Sequence, residues 1–167
     1  MDIDHWALTT FQGLRRMTEA LGGIKVDVER RMTETGGAGV IEAGEQVLGP
    51  QQALGFSRDR KSQPRGDFDR TRNQGRLILA AHDQIRREGA DLATLSRLAA
   101  SFIRDTHSDI PRFDVLRMAV LAVQIDPVDI LQVPLSGGFG TGAGGASIVH
   151  LDAGDAFERI AAGQVGP

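Results

Sequence analysis

Apolar and polar residues in the first part of the chain alternate between strand and helix spacing. An apolar run over residues 3–9 predicts a short strand. A helix should follow, because apolar residues recur three or four positions apart at Phe11, Leu14, Thr18 and Leu21. Gly22 and Gly23 would end it. The segment IKVDV at residues 24–28 alternates apolar and charged residues, which predicts a half-buried strand.

Helical spacing dominates the middle of the chain. Glycine-rich residues 33–39 predict a loop, and Pro50 opens a short helical turn that reaches Leu54. Three longer helices are predicted: from Asp67 to about Gly89, with Asp67 or Asp69 as the cap, from Leu92 to Arg104, and after Pro111.

The C-terminal part returns to strand patterns. Residues 128–135 (VDILQVPL) and 147–151 (SIVHL) predict strands, and the glycine tract at 136–145 predicts a mobile connection between them. Asp152 would cap a last short helix that reaches Ile160. Because strands alternate with helices, the pattern indicates an α/β fold. A length of 167 residues favours a single domain over residues 1–167.

Composition narrows the possible functions. The formal net charge is -3, aromatic residues make up 5% of the chain, and there is no tyrosine, so a nucleic-acid-binding surface is not expected. The chain contains no cysteine, which excludes disulfides and thiolate chemistry. No apolar stretch of about 18 residues predicts a membrane span, and residues after Met1 do not form a signal peptide.

One basic segment stands out in this acidic chain. Between residues 58 and 76 it contains Lys61 and six arginines, namely Arg58, Arg60, Arg65, Arg70, Arg72 and Arg76. Arginine binds phosphate oxygens with paired N–H groups and stays charged at working pH. The segment therefore predicts a site for a phosphate or diphosphate. The alternative is a solvated charged surface.

Spacing within this segment suggests which side chains act together. In an extended segment, Arg58 and Arg60 would project to one face, because they are two residues apart. Arg70 and Gln74 are four apart on the predicted helix and share a face. Asp67, three residues before Arg70, could contact a metal or an arginine, or could simply cap the helix.

Other motifs give weaker signals. The glycine tract lacks the lysine and hydroxyl ending of a phosphate loop and is not followed by the expected helix. The four histidines show no metal-ligand spacing. The neighbours His107, Ser108 and Asp109 cannot form a catalytic triad by adjacency alone and are expected in a loop.

Three linked segments resemble a known family. IDHWALTTFQGLRRMTEALGGIKVDV, AGEQVLGPQQALGFSRDR and GDFDRTRNQ occur in the order and spacing of the later half of the LytR-CpsA-Psr domain. The resemblance covers essentially the whole chain. It implies a central mixed β-sheet flanked by helices, without the part of the domain that precedes these segments in the family.

The resemblance also implies a function. Members of the family are phosphotransferases at the outer face of the cytoplasmic membrane that move a glycopolymer from a polyprenyl diphosphate carrier to peptidoglycan. It implies that Arg58, Arg60, Asp67 and Arg70 are catalytic. Arg58, Arg60, Arg70 and Gln74 would bind substrate, and Arg72 could partly replace an arginine that the family carries at Asn73.

Several expectations about cofactor, partners and location follow from the same resemblance. Mg²⁺ is implied, with its ligands expected in the family's earlier half rather than in this chain. The partners would be a polyprenyl diphosphate-linked glycan and a peptidoglycan acceptor, with membrane association through an anchor outside this chain. The partial domain could also pair with itself or with a complementing chain.

Two alternatives to wall-polymer transfer remain. The chain could be a module that binds an anionic lipid or a diphosphate without turnover. If it stands alone, it could instead be a cytoplasmic half-domain that serves other chemistry, such as secondary metabolism.

Overall fold

The computed structural model of this chain describes residues 4–89, 91–133, 136–152, 154 and 156–164. They belong to two compact units, one over residues 4–130 and one from residue 131 onward. The basic segment lies entirely in the larger unit.

The larger unit begins with strand and helix in turn and is mainly helical thereafter. Its elements are β1 (Ala7–Thr9), α1 (Phe11–Ala20), β2 (Ile24–Val28), β3 (Gly44–Leu48), α2 (Pro50–Arg58), α3 (Asp67–Glu88), α4 (Leu92–Asp105), β4 (Thr106–Ser108) and α5 (Arg112–Ala122). A single 3₁₀ turn follows at Pro127–Asp129. The smaller unit contains β5 (Ser136–Thr141), a 3₁₀ turn at Ala143–Gly145, β6 (Ser147–Asp152) and α6 (Ala156–Ala161).

The expected α/β class is confirmed, but the described strands form small separate sheets. β1 pairs with β4, β2 with β3, and β5 with β6, and every pair is antiparallel. The second edge of β2 is occupied by side chains of α3. Gln84 accepts a hydrogen bond from the backbone N–H of Lys25, and Arg76 donates to the carbonyl oxygen of Asp27. These contacts satisfy backbone groups that another strand would otherwise bind.

A core forms between the inner face of β2 and helices α2 and α3. The alternating residues Ile24, Val26 and Val28 are buried, whereas Lys25 and Asp27 between them are exposed, as the pleat of a strand requires. The buried cluster also contains Met32, Ile41, Leu48, Ala53, Phe56 and Leu77. Burying each large apolar side chain contributes roughly 1.5–3 kcal/mol. This core fixes the end of α2 beside the start of α3, where the basic segment lies.

The N-terminal predictions and the three long helices are confirmed with small shifts in their ends. The first strand is shorter than predicted, and Ile3 lies outside the described residues. Helix α2 continues four residues beyond Leu54, to Arg58, because residues 53–57 are buried and packing extends the turn. β3 and β4 were not predicted. The loop expected at residues 107–109 is wrong for His107 and Ser108, which belong to β4. Both strands are short, and pairing with β2 or β1 supplies the order that their own sequences do not.

The C-terminal predictions need correction. The predicted strand at 128–135 is wrong over its described part, because Pro127 starts a 3₁₀ turn and residues 130–133 have no regular structure; Pro134 and Leu135 lie outside the described residues. The glycine tract is not simply a mobile connection: residues 136–141 form β5, paired in register with β6. Asp152 ends β6, so it lies in a strand and does not cap α6.

Candidate functional site

The segment that joins α2 to α3 turns two arginines outward. Arg58 is the last residue of α2, and Asp59, which follows, has an extended backbone with φ -65° and ψ 121°. Asp59 is only 1% exposed, whereas Arg58 and Arg60 on either side are exposed. Its Oδ1 accepts a hydrogen bond from the N–H of Ser62 at 3.1 Å. The buried aspartate therefore holds the turn, and the alternation about it directs both guanidinium groups away from the core. Arg58 itself lies in helix α2, so the extended segment begins at Asp59 and not at Arg58 as predicted.

Helix α3 begins at Asp67, and the Asp67 carboxylate does not cap the helix. The N-cap is Gly66, which has φ +50° and makes no side-chain cap, so neither Asp67 nor Asp69 has the predicted capping role. A positive φ is readily adopted by glycine and disfavoured for residues with a Cβ. Asp67 instead faces two arginines: its Oδ1 lies 2.9 Å from Arg70 Nη2, and its Oδ2 lies 3.5 Å from Arg60 Nη1.

Arg58 is held by an aromatic ring. Its guanidinium carbon lies 4.3 Å from the centre of the Phe11 ring, within the range of a cation–π contact. The loop at residues 33–39 approaches from another direction, because a Cβ built on Gly36 would lie 3.6 Å from Arg58 Nη1. The guanidinium is thus restrained by α1 and by this loop while its side chain remains exposed.

Gln74 links the two helices that carry the site. Its Nε2 donates a hydrogen bond to the carbonyl oxygen of Ser57 at 3.0 Å, so that donor is bound to protein. Arg72 lies on another face of α3, where its Nη2 contacts Glu29 Oε1 at 3.0 Å. Arg76 contacts the same glutamate at 2.9 Å. The structure therefore groups Arg60, Asp67 and Arg70 by direct contact and places Arg72 and Arg76 away from them.

The resulting electrostatics favour an anion. Arg60 and Arg70 together bring two fixed cations to one carboxylate, and Arg58 adds a third cation at the preceding helix end. Three arginines with one exchangeable carboxylate can bind the oxygens of a phosphate group through charge-assisted hydrogen bonds. We call Arg58, Arg60, Asp67 and Arg70 the arginine cluster.

The arginine cluster does not fit a magnesium site. Mg²⁺ binds through carboxylate and other oxygen ligands, and both Asp67 oxygens face guanidinium groups. Within the described parts of the chain, no group of three or more histidine, cysteine, aspartate or glutamate side chains is placed to hold a metal ion. The chemistry of the cluster itself is therefore that of its guanidinium groups.

Two residues that shape the site were not predicted to belong to it. Phe11 was assigned to the apolar stripe of a helix, yet its side chain is 57% exposed and lies under Arg58. Asp59 lies between Arg58 and Arg60 in the sequence, and its burial was not predicted. No local sequence signal distinguishes either role, because both depend on how α1 and α2 pack.

None of the described helices combines the length and the apolar character that a membrane span requires.

Comparison with known proteins identifies relatives of the chain. The profile of the LytR_cpsA_psr family matches residues 1–160. The cell wall biosynthesis protein LcpA of Corynebacterium glutamicum is 29% identical over 99% of this chain and 33% of its own length. The polyisoprenyl-teichoic acid–peptidoglycan teichoic acid transferase TagU of Bacillus mycoides is 31% identical over 56% of this chain and 29% of its own length. The chain thus spans about a third of the curated relatives' length.

Solved structures show the same fold. The crystal structure of TagV of Bacillus subtilis superimposes with a TM-score of 0.76 at 22% identity, covering 95% of this chain and 61% of the TagV chain. The protein gbs0355 of Streptococcus agalactiae gives a TM-score of 0.74 at 22% identity, covering 89% of this chain and 52% of the other.

Proposed function

The chain belongs to the LytR-CpsA-Psr family, and on that premise we propose that it takes part in transferring a cell-wall glycopolymer from a polyprenyl diphosphate carrier to peptidoglycan. In this proposal the arginine cluster binds the diphosphate. The groups that activate the peptidoglycan acceptor, and the rest of the catalytic machinery, would come from the part of the family domain that precedes the three matching segments.

The names of the relatives support the type of reaction. LcpA is named as a cell wall biosynthesis protein, and TagU and TagV as polyisoprenyl-teichoic acid–peptidoglycan teichoic acid transferases. This chain covers about a third of the length of those proteins. We therefore propose that it contributes to their reaction, not that it carries out the whole reaction. Location at the cell surface, on the outer face of the cytoplasmic membrane, is part of the same proposal.

The observation that carries the proposal is the contact of Arg60 and Arg70 with the single carboxylate of Asp67. An arriving phosphate can replace the carboxylate as partner of both guanidinium groups. Phosphoryl transfer depends mainly on positioning and on stabilising charge at the phosphate oxygens, which fixed arginines provide. Arg58, restrained by Phe11, would add a third donor group at the edge of the site.

Mg²⁺ remains an expectation from the family. Because both Asp67 oxygens face guanidinium groups, its ligands would come from outside the arginine cluster.

Binding without turnover is the second candidate function. It is favoured by one observation: both oxygens of Asp67, the carboxylate of the cluster, face guanidinium groups, so neither is directed at an acceptor hydroxyl. Release of phosphate from a prenyl diphosphate by the purified chain would exclude this candidate.

Calorimetric titration with geranyl diphosphate, a short soluble prenyl diphosphate, tests the proposed site. We expect Arg60→Ala and Arg70→Ala each to weaken binding about tenfold or more, since each removes charge-assisted hydrogen bonds. Arg97→Ala is the control, because Arg97 is exposed on α4 and contacts Thr94 of the same helix. If both cluster variants bind like the unmodified chain, the diphosphate site is elsewhere.

A further inference from the structure

Helix α3 carries a second group of polar residues on a face that adjoins the arginine cluster. Because successive residues of a helix turn by about 100°, Asp69 and Asn73 share one side of α3; Asp69 points about 160° away from Asp67, whereas Asn73 is about 60° from Arg70. On that side the structure has a cavity of about 270 Å³ between α3, the end of β2 and the turn at residues 63–65. Its lining includes Arg30, Gln63, Arg65, Asp69, Arg72 and Asn73.

Two buried side-chain amides line this cavity without satisfying their donors. Gln63 is 9% exposed and Asn73 is 5% exposed. Neither Gln63 Nε2 nor Asn73 Nδ2 has a hydrogen-bond partner among the described residues. A buried donor without a partner costs about 1–3 kcal/mol, so an acceptor that enters the cavity can gain from two such donors. The last torsion of each side chain is soft, so the NH₂ group can turn toward an acceptor in the cavity.

The charges around the cavity leave a positive excess. Arg65 is bound to Asp69, with Nε and Nη2 at 3.0 and 2.8 Å from Oδ1, and Arg72 is bound to Glu29. Among the described carboxylates, none lies within ion-pair distance of Arg30. Its charge still reaches the cavity. Partial burial raises the pKa of Asp69, but hydrogen bonds and charge from Arg65, together with the charge of Arg30, lower that pKa overall.

We propose that this cavity binds a small oxyanion, a phosphate or carboxylate group, separately from the arginine cluster. The amides of Gln63 and Asn73 donate hydrogen bonds to its oxygens, and Arg30 supplies the net positive charge. The cavity is larger than one phosphate ion, so the anionic group can be part of a somewhat larger molecule. This site is independent of the diphosphate function proposed above.

Solution NMR of the ¹⁵N-labelled 167-residue chain tests this site directly. The side-chain NH₂ signals of Gln63 and Asn73 are followed during titration with sodium phosphate and, separately, sodium acetate, at constant ionic strength. We expect a saturable shift of both signals with at least one of these ions. A response to phosphate alone identifies a phosphate site, and a response to acetate alone identifies a carboxylate site.

Variants distinguish binding in the cavity from other effects. Arg30→Ala should weaken the titration about tenfold, because it removes the cation that supplies the positive excess. Arg31→Ala, whose arginine is already paired with Glu42 at 3.1 Å, should leave it unchanged. Asn73→Asp, which keeps the shape and adds a negative charge, should abolish the shift of the Gln63 signal, the side-chain NH₂ signal that remains in this variant.

Three results would overturn the proposal. One is the absence of a saturable shift with both ions. Another is equal titration by the Arg30→Ala and Arg31→Ala variants. The third is loss of the shift in Arg60→Ala, which would place the bound ion in the arginine cluster.

Discussion

Asp67 and Arg70, three residues apart at the start of α3, form a close ion pair in which Oδ1 lies 2.9 Å from Nη2. The second Asp67 oxygen lies 3.5 Å from Arg60, so one carboxylate screens two of the cations that we assign to substrate. The side chain of Asp67 is about a quarter exposed, and the ion pair can therefore exchange with a ligand from solution. Asp67 thus orients the two guanidinium groups toward one point.

Replacing Asp67 with asparagine should increase affinity for a simple anion. The substitution preserves shape and removes the charge that competes with a diphosphate for Arg60 and Arg70. We expect geranyl diphosphate to bind about threefold to tenfold more tightly in calorimetry, a change of roughly 1 kcal/mol, as for an exposed ion pair. Weaker binding by Asp67→Asn would show that the carboxylate contributes to ligand binding and does not compete with it.

Phe11 should matter through Arg58. The Phe11→Ala change removes the ring under the guanidinium, and an exposed cation–π contact contributes about 0.5–1 kcal/mol. We expect a twofold to fivefold loss of geranyl diphosphate affinity, because Arg58 becomes less restrained. Phe113→Ala is the matched control: Phe113 is 95% exposed on α5. Equal effects of the two substitutions would indicate a general loss of apolar surface.

Asp69 should make stability depend on pH. Burial raises its pKa, but hydrogen bonds from Arg65 outweigh that effect, so the pKa is lowered in the folded chain. A lowered folded pKa stabilises the fold above the unfolded pKa of about 4, and this contribution is lost as pH falls through the folded pKa. At pH 7, Asp69→Asn should therefore reduce the free energy of unfolding by about 1 kcal/mol, and the difference should shrink below about pH 4.

Urea unfolding of both proteins between pH 3 and 7 measures this difference. Asp83→Asn serves as a comparison, because Asp83 pairs with Arg87 at the same i, i+4 spacing on the exposed part of α3. Asp83→Asn should reduce the free energy of unfolding at pH 7 by about 0.3–0.5 kcal/mol. If Asp69→Asn lowers the free energy of unfolding by the same amount at every pH, the pKa of Asp69 is not lowered in the folded chain.

Gln84 should be important for stability although it is far from the arginine cluster in sequence. Its amide accepts from the N–H of Lys25 at 3.0 Å and donates to the carbonyl oxygens of Leu21 and Gly23 at 3.4 and 3.2 Å. Gln84→Leu leaves these backbone groups without that partner, and we expect a loss of about 1–3 kcal/mol in urea unfolding. Gln51→Leu, at an exposed position of α2, should cost less than about 0.5 kcal/mol. Equal losses of stability in the two variants would mean that the backbone groups bound by Gln84 find other hydrogen-bond partners.

The sequence pattern correctly predicted those helices and strands whose own residues show a clear helical or alternating spacing. Helices α1, α3, α4 and α5 follow from helical spacing, with glycine or proline at several of their ends, and β2 follows from strict alternation. β3, β4 and β5 do not, because their short, glycine-rich or polar sequences become strands only when a partner strand binds their backbone groups. The failed strand at 128–135 shows the converse: apolar residues alone do not form a strand without a partner.

For the candidate site, the sequence by itself determined the chemistry: a dense group of arginines with one nearby aspartate in an acidic chain, which selects an anionic ligand. Tertiary structure decided which of these residues act together. Helix geometry and the buried Asp59 place Arg60 and Arg70 against Asp67, the packing of α1 places Phe11 under Arg58, and Glu29 draws Arg72 and Arg76 to another face. Residue types fix charge and hydrogen-bonding capacity, whereas the contacts between them depend on elements that are distant in the chain and meet only when the core forms.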